Sequence, residues 1–302
     1  MTETELLFTE VLNCGRPALY INKDIVLPKE KALLISSVLK RRVLGEPLEY
    51  ILGKAEFMGL EFKVNKDVLI PRADTEILVE IAIKLVHRET TAKRLFSRHS
   101  ESKGRIISTA IDPALSRRMT KNGIRKKILE IGTGSGCIAV SLAKLLTDVK
   151  ITAVDVSKSA LKIAKENAVL NNVADRINFI EGDLFNICDG QRTGHDLSLR
   201  IYDLIVTNPP YIPTQDIEGL QPEVKYEPRI ALDGGRDGLD FYRKIIELSA
   251  GYLKEGGFLV MEIGFGQKEK IENMFQNTQD FEIIDIIKDY NGIDRVIVAN
   301  YK

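Results

Sequence analysis

Residues 128–136 read Ile-Leu-Glu-Ile-Gly-Thr-Gly-Ser-Gly, an apolar run that ends in three alternating glycines. The apolar run predicts a short buried strand, and the residues from about 137 to 147 predict a helix directly after the glycines. Glycines at such a turn let the backbone approach a ligand closely at the N-terminus of a helix. The stretch therefore predicts a ligand-binding loop in an α/β fold.

The spacing of these glycines separates two classes of cofactor site. A dinucleotide fingerprint would need its third glycine at position 137, where this chain has Cys137. The Gly-x-Gly-x-Gly pattern, with Glu130 two residues before the first glycine, resembles instead the S-adenosylmethionine pocket of class I methyltransferases. An unliganded tight turn is the alternative. The cofactor-binding residues that this resemblance implies are Gly132, Thr133, Gly134, Ser135 and Gly136.

The chain around the loop alternates short β-branched runs with helical segments, which is typical of a parallel sheet covered by helices. The predicted strands are 128–131, 151–154, 177–180, 204–207, 258–263, 281–286 and 296–299. Helices are expected near 137–147, 157–171, 240–254 and 267–277. The alternation predicts an α/β fold with a seven-stranded, mostly parallel sheet, and the resemblance of the glycine loop implies the Rossmann-like fold of class I S-adenosylmethionine-dependent methyltransferases.

The N-terminal part carries different patterns. Residues 4–44 place apolar side chains at helical spacing, and residues 47–70 change to a pattern that predicts a strand pair. A basic segment at about 90–125 has little periodicity, which indicates an insertion. The expected organisation is a helical N-terminal domain at 1–46, a β-hairpin linker at 47–76 and a methyltransferase domain at 77–302 that contains the insertion.

The charge balance bears on the partners. The 43 basic and 43 acidic residues cancel, which argues against a uniformly positive surface for nucleic acid. Residues 87–127 nevertheless carry twelve Lys or Arg against three Asp or Glu, so they are the only candidate region for direct nucleic-acid contact. We interpret this insertion as a flexible linker, with a contact to ribosomal RNA or simply tolerated sequence as the alternatives.

Cysteines and the first residues of the chain indicate a compartment. The cysteines Cys14, Cys137 and Cys188 have neither metal-ligand spacing nor an even number, so we expect no metal site and a reducing environment. The three histidines have no spaced partner and receive no catalytic role. The N-terminus has no basic start and no long apolar run, which predicts neither a secretory signal nor a transit peptide. These features predict a cytoplasmic protein that has no membrane partner.

Three residues at the ends of predicted strands are candidates for binding a nucleoside. Asp155 follows the second strand, where a carboxylate can accept from both ribose hydroxyls; a helix cap or loop residue is the alternative. After the third strand, Asp183 could accept from the adenine amino group while Leu184 packs against the ring. For this pair, a solvated turn and a core leucine are equally good interpretations.

Residues 207–212, Thr-Asn-Pro-Pro-Tyr-Ile, are the most specific feature of the chain. The two prolines fix the backbone and remove donors. A planar amide or amino nitrogen is a poor nucleophile, but Asn208 Oδ1 and the Pro209 carbonyl can accept its N–H groups and align it for attack on a sulfonium methyl. Tyr211 would stack on the planar group. The catalytic and substrate-binding candidates are Asn208, Pro209, Pro210 and Tyr211, and Asn208 is also a cofactor-binding candidate.

Nearly the whole chain, apart from about 90–125, resembles the HemK/PrmC family of protein-(glutamine-N5) methyltransferases, which modify release factors. The resemblance rests on the glycine loop and on the motifs at 47–53, 69–76, 208–213, 223–228, 231–239 and 262–264. It implies S-adenosylmethionine as cofactor, a helical N-terminal domain that helps hold the release factor, and a catalytic domain that receives the glutamine of a Gly-Gly-Gln loop.

The resemblance also implies roles for single residues. Asn208 and Pro209 bind the glutamine amide and Tyr211 confines it. Phe57 and Arg72 close over the site, for which a packed aromatic and a surface ion pair are equally good interpretations. The chain departs from the family in having Glu130 where Asp is frequent and Ala73 where Pro is frequent.

Three other functions would place different demands on the sequence. An adenine-N6 or guanine-N2 nucleic-acid methyltransferase presents the same planar N–H geometry to its catalytic loop, but it needs a recognition domain and a groove of matching charge. A protein that only binds the cofactor would not retain the loop at 208–211. A nicotinamide-dependent oxidoreductase would need a different third glycine and an acid-base group.

Overall fold

The computed structural model describes residues 2–21, 26–87, 125–187 and 201–302. The N-terminal part consists of the helices α1 (Glu3–Leu12), α2 (Arg16–Ile21), α3 (Lys29–Val43) and α4 (Leu48–Leu52). Thr2 caps α1 in a capping box, because its hydroxyl accepts from Glu5 N at 3.2 Å and its own N–H donates to the Glu5 carboxylate at 2.8 Å. A small core of Leu7, Ile35, Val38 and Leu48 holds α1, α3 and α4 together. The predicted helical N-terminal domain is confirmed.

The prediction of strand structure from residue 47 onward was wrong at its start, because Leu48–Leu52 is the helix α4. Pro47 fixes its N-terminus and Gly53 ends it with a left-handed φ of 75°. The strand pair follows as β1 (Lys54–Phe57) and β2 (Leu60–Lys63), which are antiparallel. Met58 and Gly59 both have positive φ, as a two-residue hairpin turn requires.

The C-terminal part is one large sheet with helices on both faces. Its strands are β3 (Lys126–Ile131), β4 (Val149–Asp155), β5 (Ile177–Asp183), β6 (Asn186–Ile187), β7 (Tyr202–Thr207), β8 (Leu253–Glu262), β9 (Phe281–Lys288) and β10 (Asp294–Tyr301). The order is β6-β5-β4-β3-β7-β8-β10-β9, with β5, β4, β3, β7 and β8 parallel. All seven predicted strands are confirmed, and the two-residue β6 is an unpredicted eighth.

The helices of this part are α5 (Ala73–Val86), α6 (Cys137–Leu145), α7 (Lys158–Leu170), α8 (Pro222–Lys225), α9 (Asp240–Ser249) and α10 (Lys268–Gln276). Alternate residues of the strands bury opposite faces. Ile128 and Leu204 pack with α5 and α6, whereas Leu129 and Ile205 pack with α9 and α10. The result is a three-layer α/β/α arrangement. Among the helices described, none has the length and apolar character needed to cross a membrane.

The N-terminal helices contact the C-terminal part through α8. Arg42 donates to the Glu3 carboxylate at 3.0 Å and to Glu223 Oε1 at 2.9 Å, so one guanidinium joins α1 to α8. At Gly45 the backbone has a φ of 87°, and a Cβ there would lie 2.9 Å from Pro222 Cβ. This close approach requires glycine. The predicted basic insertion at about 90–125 lies almost entirely outside the described residues.

Candidate active site

The candidate site forms at the carboxyl edge of the sheet. In the parallel register Ile131 of β3 lies beside Val154 of β4 on one side and Thr207 of β7 on the other. The glycine loop (residues 132–136), Asp155 and the acceptor loop (residues 208–211) therefore leave the sheet side by side. This edge, outside the carboxyl ends of parallel strands, is where open α/β sheets bind ligands.

The glycine loop is fixed by backbone hydrogen bonds and by positive φ angles. Gly132 and Thr133 donate to Val154 O at 2.9 and 3.0 Å, and Gly136 donates to Thr133 O at 2.8 Å. A Cβ on Gly132 or Gly134 would meet no atom within 4 Å, whereas a Cβ on Gly136 would lie 3.0 Å from the side chain of Ala164. The first two glycines thus border open space where a ligand can lie, and the third permits close packing of α6 on α7.

Asp155 lies directly against this loop. Its Oδ2 accepts from Gly134 N at 2.8 Å and its Oδ1 accepts from Ser157 N at 2.9 Å. Burial raises its pKa, and these backbone donors lower it in part. Each carboxylate oxygen keeps a second acceptor site, so the side chain can still bind a pair of hydroxyls.

Glu130 is the fully buried acid beneath the loop. Its Oε2 accepts from Thr133 Oγ1 at 2.6 Å, whereas Oε1 is buried without a partner. Burial raises the pKa of Glu130 to about 8, and the nearby Asp155 adds to the effect. One oxygen of this buried carboxyl thus has no side-chain partner among the described residues, while the loop itself borders open space at Gly132 and Gly134.

Asn167 on α7 is a supporting residue that sequence reasoning missed. Its Nδ2 donates to Ser135 O at 2.8 Å and to Lys63 O at 3.0 Å, and its Oδ1 accepts from Lys63 N at 2.7 Å. This buried amide therefore joins the β1–β2 hairpin to the glycine loop. A lone Asn within an amphipathic helix gives no local signal for such a role.

Asp183 and Leu184 stand at the end of β5. Asp183 is exposed, and Leu184 has a φ of 54° in the turn that leads into β6. The Leu184 side chain is half-buried against the core on the α9 and α10 side of the sheet. A solvated acid and a core leucine describe this pair structurally, and its contact with a cofactor stays a prediction.

The acceptor loop is braced from two sides. Tyr211 O accepts from Gln267 Nε2 at 2.9 Å, and Ile212 exchanges backbone bonds with Leu232 and Gly234 at 3.0 and 2.8 Å. A Cβ on Gly234 would lie 2.7 Å from Tyr211 Cα, so the motif at 231–239 packs directly onto the loop. The loop is therefore held rigidly, as the prolines predicted.

Within the loop, Pro209 is buried while Asn208, Pro210 and Tyr211 are half-buried. Asn208 Nδ2 donates to Thr75 Oγ1 at 3.1 Å, and Thr75 Oγ1 donates to Glu262 Oε2 at 2.6 Å. Burial, with a smaller contribution from the Glu262 charge, raises the pKa of Tyr211 to about 12, so its phenol stays neutral. Thr75 and Glu262 lie in the motifs at 69–76 and 262–264, but sequence analysis assigned neither of them a role.

For Phe57 and Arg72, the contacts favour a packed aromatic and an ion pair over residues that close above the site. Phe57 is 1% exposed and packs edge-to-face on Phe62 with ring centroids 6.1 Å apart. Arg72 forms an ion pair with the buried carboxylate of Glu227. Both residues support the hairpin and α5 around the site.

Comparisons with known proteins agree with this geometry. Residues 1–53 match the PrmC N-terminal domain, and residues 108–220 match the Methyltransferase small domain. The hMettl16 catalytic domain, whose crystal structure is 18% identical in sequence, has the same fold with a TM-score of 0.53 over 91% of this chain and 81% of that one. Fold and site together define a class I methyltransferase. The family and the fold imply a methyl donor of the S-adenosylmethionine type.

Relatives narrow this class to one family. The release factor glutamine methyltransferase of Geobacter sulfurreducens is 41% identical over 98% of this chain and 87% of its own length. That of Fusobacterium nucleatum is 38% identical over 99% of this chain and 73% of its own length. The chain belongs to the release factor glutamine methyltransferase family, which confirms the resemblance found in the sequence.

Proposed function

We propose that this chain transfers a methyl group from S-adenosylmethionine to the N5 side-chain amide of the glutamine in the Gly-Gly-Gln motif of peptide-chain release factors. The observation that carries the proposal is the acceptor loop at the end of β7, directly beside the glycine loop at the end of β3. Membership of the family supports the substrate.

The residues around the glycine loop fit the cofactor. Bound S-adenosylmethionine supplies an electrophilic methyl group on a sulfonium centre. Asp155 would accept from the ribose hydroxyls, and the open space above Gly132 and Gly134 would admit the ligand. The proposed cofactor contacts are Gly132, Thr133, Gly134, Ser135, Gly136, Asp155, Asp183, Leu184 and Asn208.

The acceptor loop would then position the substrate amide. Asn208 Oδ1 and the Pro209 carbonyl each accept one N–H of the glutamine amide, which aims the nitrogen lone pair at the methyl group. Tyr211 confines the amide plane as a neutral phenol, and Pro210 keeps the loop in shape. Because the nitrogen loses its proton after the methyl transfer, positioning is the main requirement and no strong base is needed.

The remaining parts of the proposal concern organisation and partners. The helical domain at 1–46 helps hold the release factor, the linker at 47–76 supports the pocket, and the domain at 77–302 carries the reaction. The linker interpretation of the basic insertion stays part of the proposal. A translation factor as substrate agrees with a cytoplasmic location.

The test uses the purified protein with methyl-labelled S-adenosylmethionine. Separate reactions contain unmethylated release factor, the same factor with its Gly-Gly-Gln glutamine replaced, and duplex DNA. Mass spectrometry should find one methyl group on that glutamine and none in the other two reactions. Asn208→Ala should abolish the transfer, whereas Asn273→Ala, at an exposed position of α10, should not change it. A label on DNA would overturn the proposed substrate and leave the fold and cofactor class unaffected.

A further inference from the structure

A buried row of polar groups runs behind the acceptor loop. It joins Glu262 at the end of β8, Thr75 in the first turn of α5 and Asn208 at the end of β7. Glu262 is 1% exposed and Thr75 is 2% exposed, so water does not replace these hydrogen bonds. The three residues come from chain segments far apart in sequence and meet only in the folded sheet.

The direction of each hydrogen bond follows from the chemistry of the groups. An ionised carboxylate can only accept, so the Thr75 hydroxyl gives its single proton to Glu262 Oε2 at 2.6 Å. Toward Asn208, that hydroxyl can then only accept. The contact of 3.1 Å between Asn208 and Thr75 Oγ1 must therefore be made by the Asn208 amino group. Asn208 also donates toward Glu262 itself.

We propose that Glu262 and Thr75 are positioning residues, which hold the Asn208 amide with its nitrogen turned inward and its oxygen turned toward the substrate. The inference rests on the proposed function, because it explains how the loop comes to accept from an amide. With the amide reversed, Asn208 would present N–H groups to the N–H groups of the glutamine. Such an arrangement repels the substrate instead of aligning it.

The ionisation of Glu262 controls this orientation. Burial raises the pKa of Glu262 to about 7, while hydrogen bonds from Thr75 and Asn208 and the charge of Arg295 lower it. A protonated Glu262 can donate to the Thr75 hydroxyl. That hydroxyl can then donate its own proton to Asn208, which favours the reversed amide with its oxygen turned inward. The ionisable groups that face Glu262 from neighbouring elements are Arg295, Asp74, Tyr211, Tyr242 and Cys137.

The first test compares Thr75→Val, which keeps the shape and removes the hydroxyl, with Thr75→Ser, which keeps the hydroxyl. Wild type must first methylate the glutamine, since failure there would refute the proposed function and not this inference. Thr75→Val should lower kcat about tenfold, in line with the loss of an orienting hydrogen bond, while the Kd for the cofactor changes less than about twofold. Thr75→Ser should recover most of the loss. An active wild type with an equally active Thr75→Val would overturn the inference.

The second test reads the pH dependence of kcat and does not depend on how Thr75→Val folds. Wild type should lose activity as the pH falls through about 7, because Glu262 takes up its proton. Glu262→Gln, which has no ionisable group, should lower kcat and remove this acid limb. Glu130 is present in both proteins, so the difference between the two profiles isolates the titration of Glu262. An acid limb that persists unchanged in Glu262→Gln would contradict the inference, since a merely structural Glu262 would not shape the profile.

Discussion

Replacing Asn167 by Ala should weaken both the fold and the cofactor pocket. The Asn167 side chain makes three hydrogen bonds, two to Lys63 and one to Ser135 O. Each contributes about 1 kcal/mol to the free energy of unfolding, so their joint loss should cost about 3 kcal/mol. At about 2.1 cal/mol/K of unfolding entropy per residue, a chain of 302 residues should lose about 5 °C in Tm. Because Ser135 O belongs to the glycine loop, the Kd for S-adenosylmethionine should rise about tenfold.

Asn171→Ala, at the C-cap of the same helix, provides the matched control. Asn171 also bonds the hairpin, through Glu61 O at 3.0 Å, but it has no contact with the glycine loop. Its side chain makes two hydrogen bonds, to Glu61 O and to Asn167 O, so Asn171→Ala should lower Tm by about two-thirds as much and leave the cofactor Kd within about twofold of wild type. Thermal unfolding and isothermal titration calorimetry measure both quantities. If Asn167→Ala bound the cofactor as wild type does, or if both variants weakened binding equally, the link from hairpin to pocket would be refuted.

Three further predictions concern the cofactor side of the site. Asp155→Ala should raise the cofactor Kd at least about tenfold by calorimetry, because charge-assisted hydrogen bonds are lost; an unchanged Kd would remove Asp155 from the site. Gly132→Ala and Gly136→Ala both place a side chain at positive φ and should both lower Tm, but Gly136→Ala should lower it more because its Cβ also meets Ala164. Gly132→Ala should raise the cofactor Kd more, because its Cβ would enter the open space; equal effects on Kd would contradict the assignment of open space. Burial raises the pKa of Glu130 to about 8, so the folded state keeps a proton that the unfolded chain releases, and the free energy of unfolding should fall as the pH rises from about 5 to about 8. In urea titrations at several pH values, the free energy of unfolding of Glu130→Gln should depend less on pH than that of wild type. If both proteins showed the same dependence on pH, Glu130 would be ionised in the folded state.

Local patterns in the sequence predicted the strands and the loops at their ends. The glycine loop, Asp155 and the acceptor loop each follow an apolar strand, and parallel strands bring such ends to one edge. The strand prediction over residues 48–52 was wrong because the apolar spacing of a five-residue helix is too short to be distinguished from that of a strand. The two-residue β6 is too short to show an alternation of apolar and polar residues, so it could not be predicted.

The supporting residues of the site could not be predicted from local patterns. Thr75 bonds Glu262 across 187 positions of sequence, and Asn167 bonds Lys63 across 104. Such contacts depend on which helix lies on which strand, and this is settled only by the packing of the whole sheet. Phe57 shows the same limit, because its burial against Phe62 follows from where the hairpin docks.

The close contact at Gly45 has a consequence for how partners are selected. Packing against Pro222 and the bonds of Arg42 to Glu3 and Glu223 set the separation between the N-terminal helices and the acceptor loop. With a release factor held by those helices as proposed, only a partner whose glutamine lies at the matching distance from its docking surface can reach the loop. The enzyme then selects partners by the distance between their docking surface and their glutamine. A one-residue insertion beside Gly45 would change the distance that is accepted without altering any reacting group.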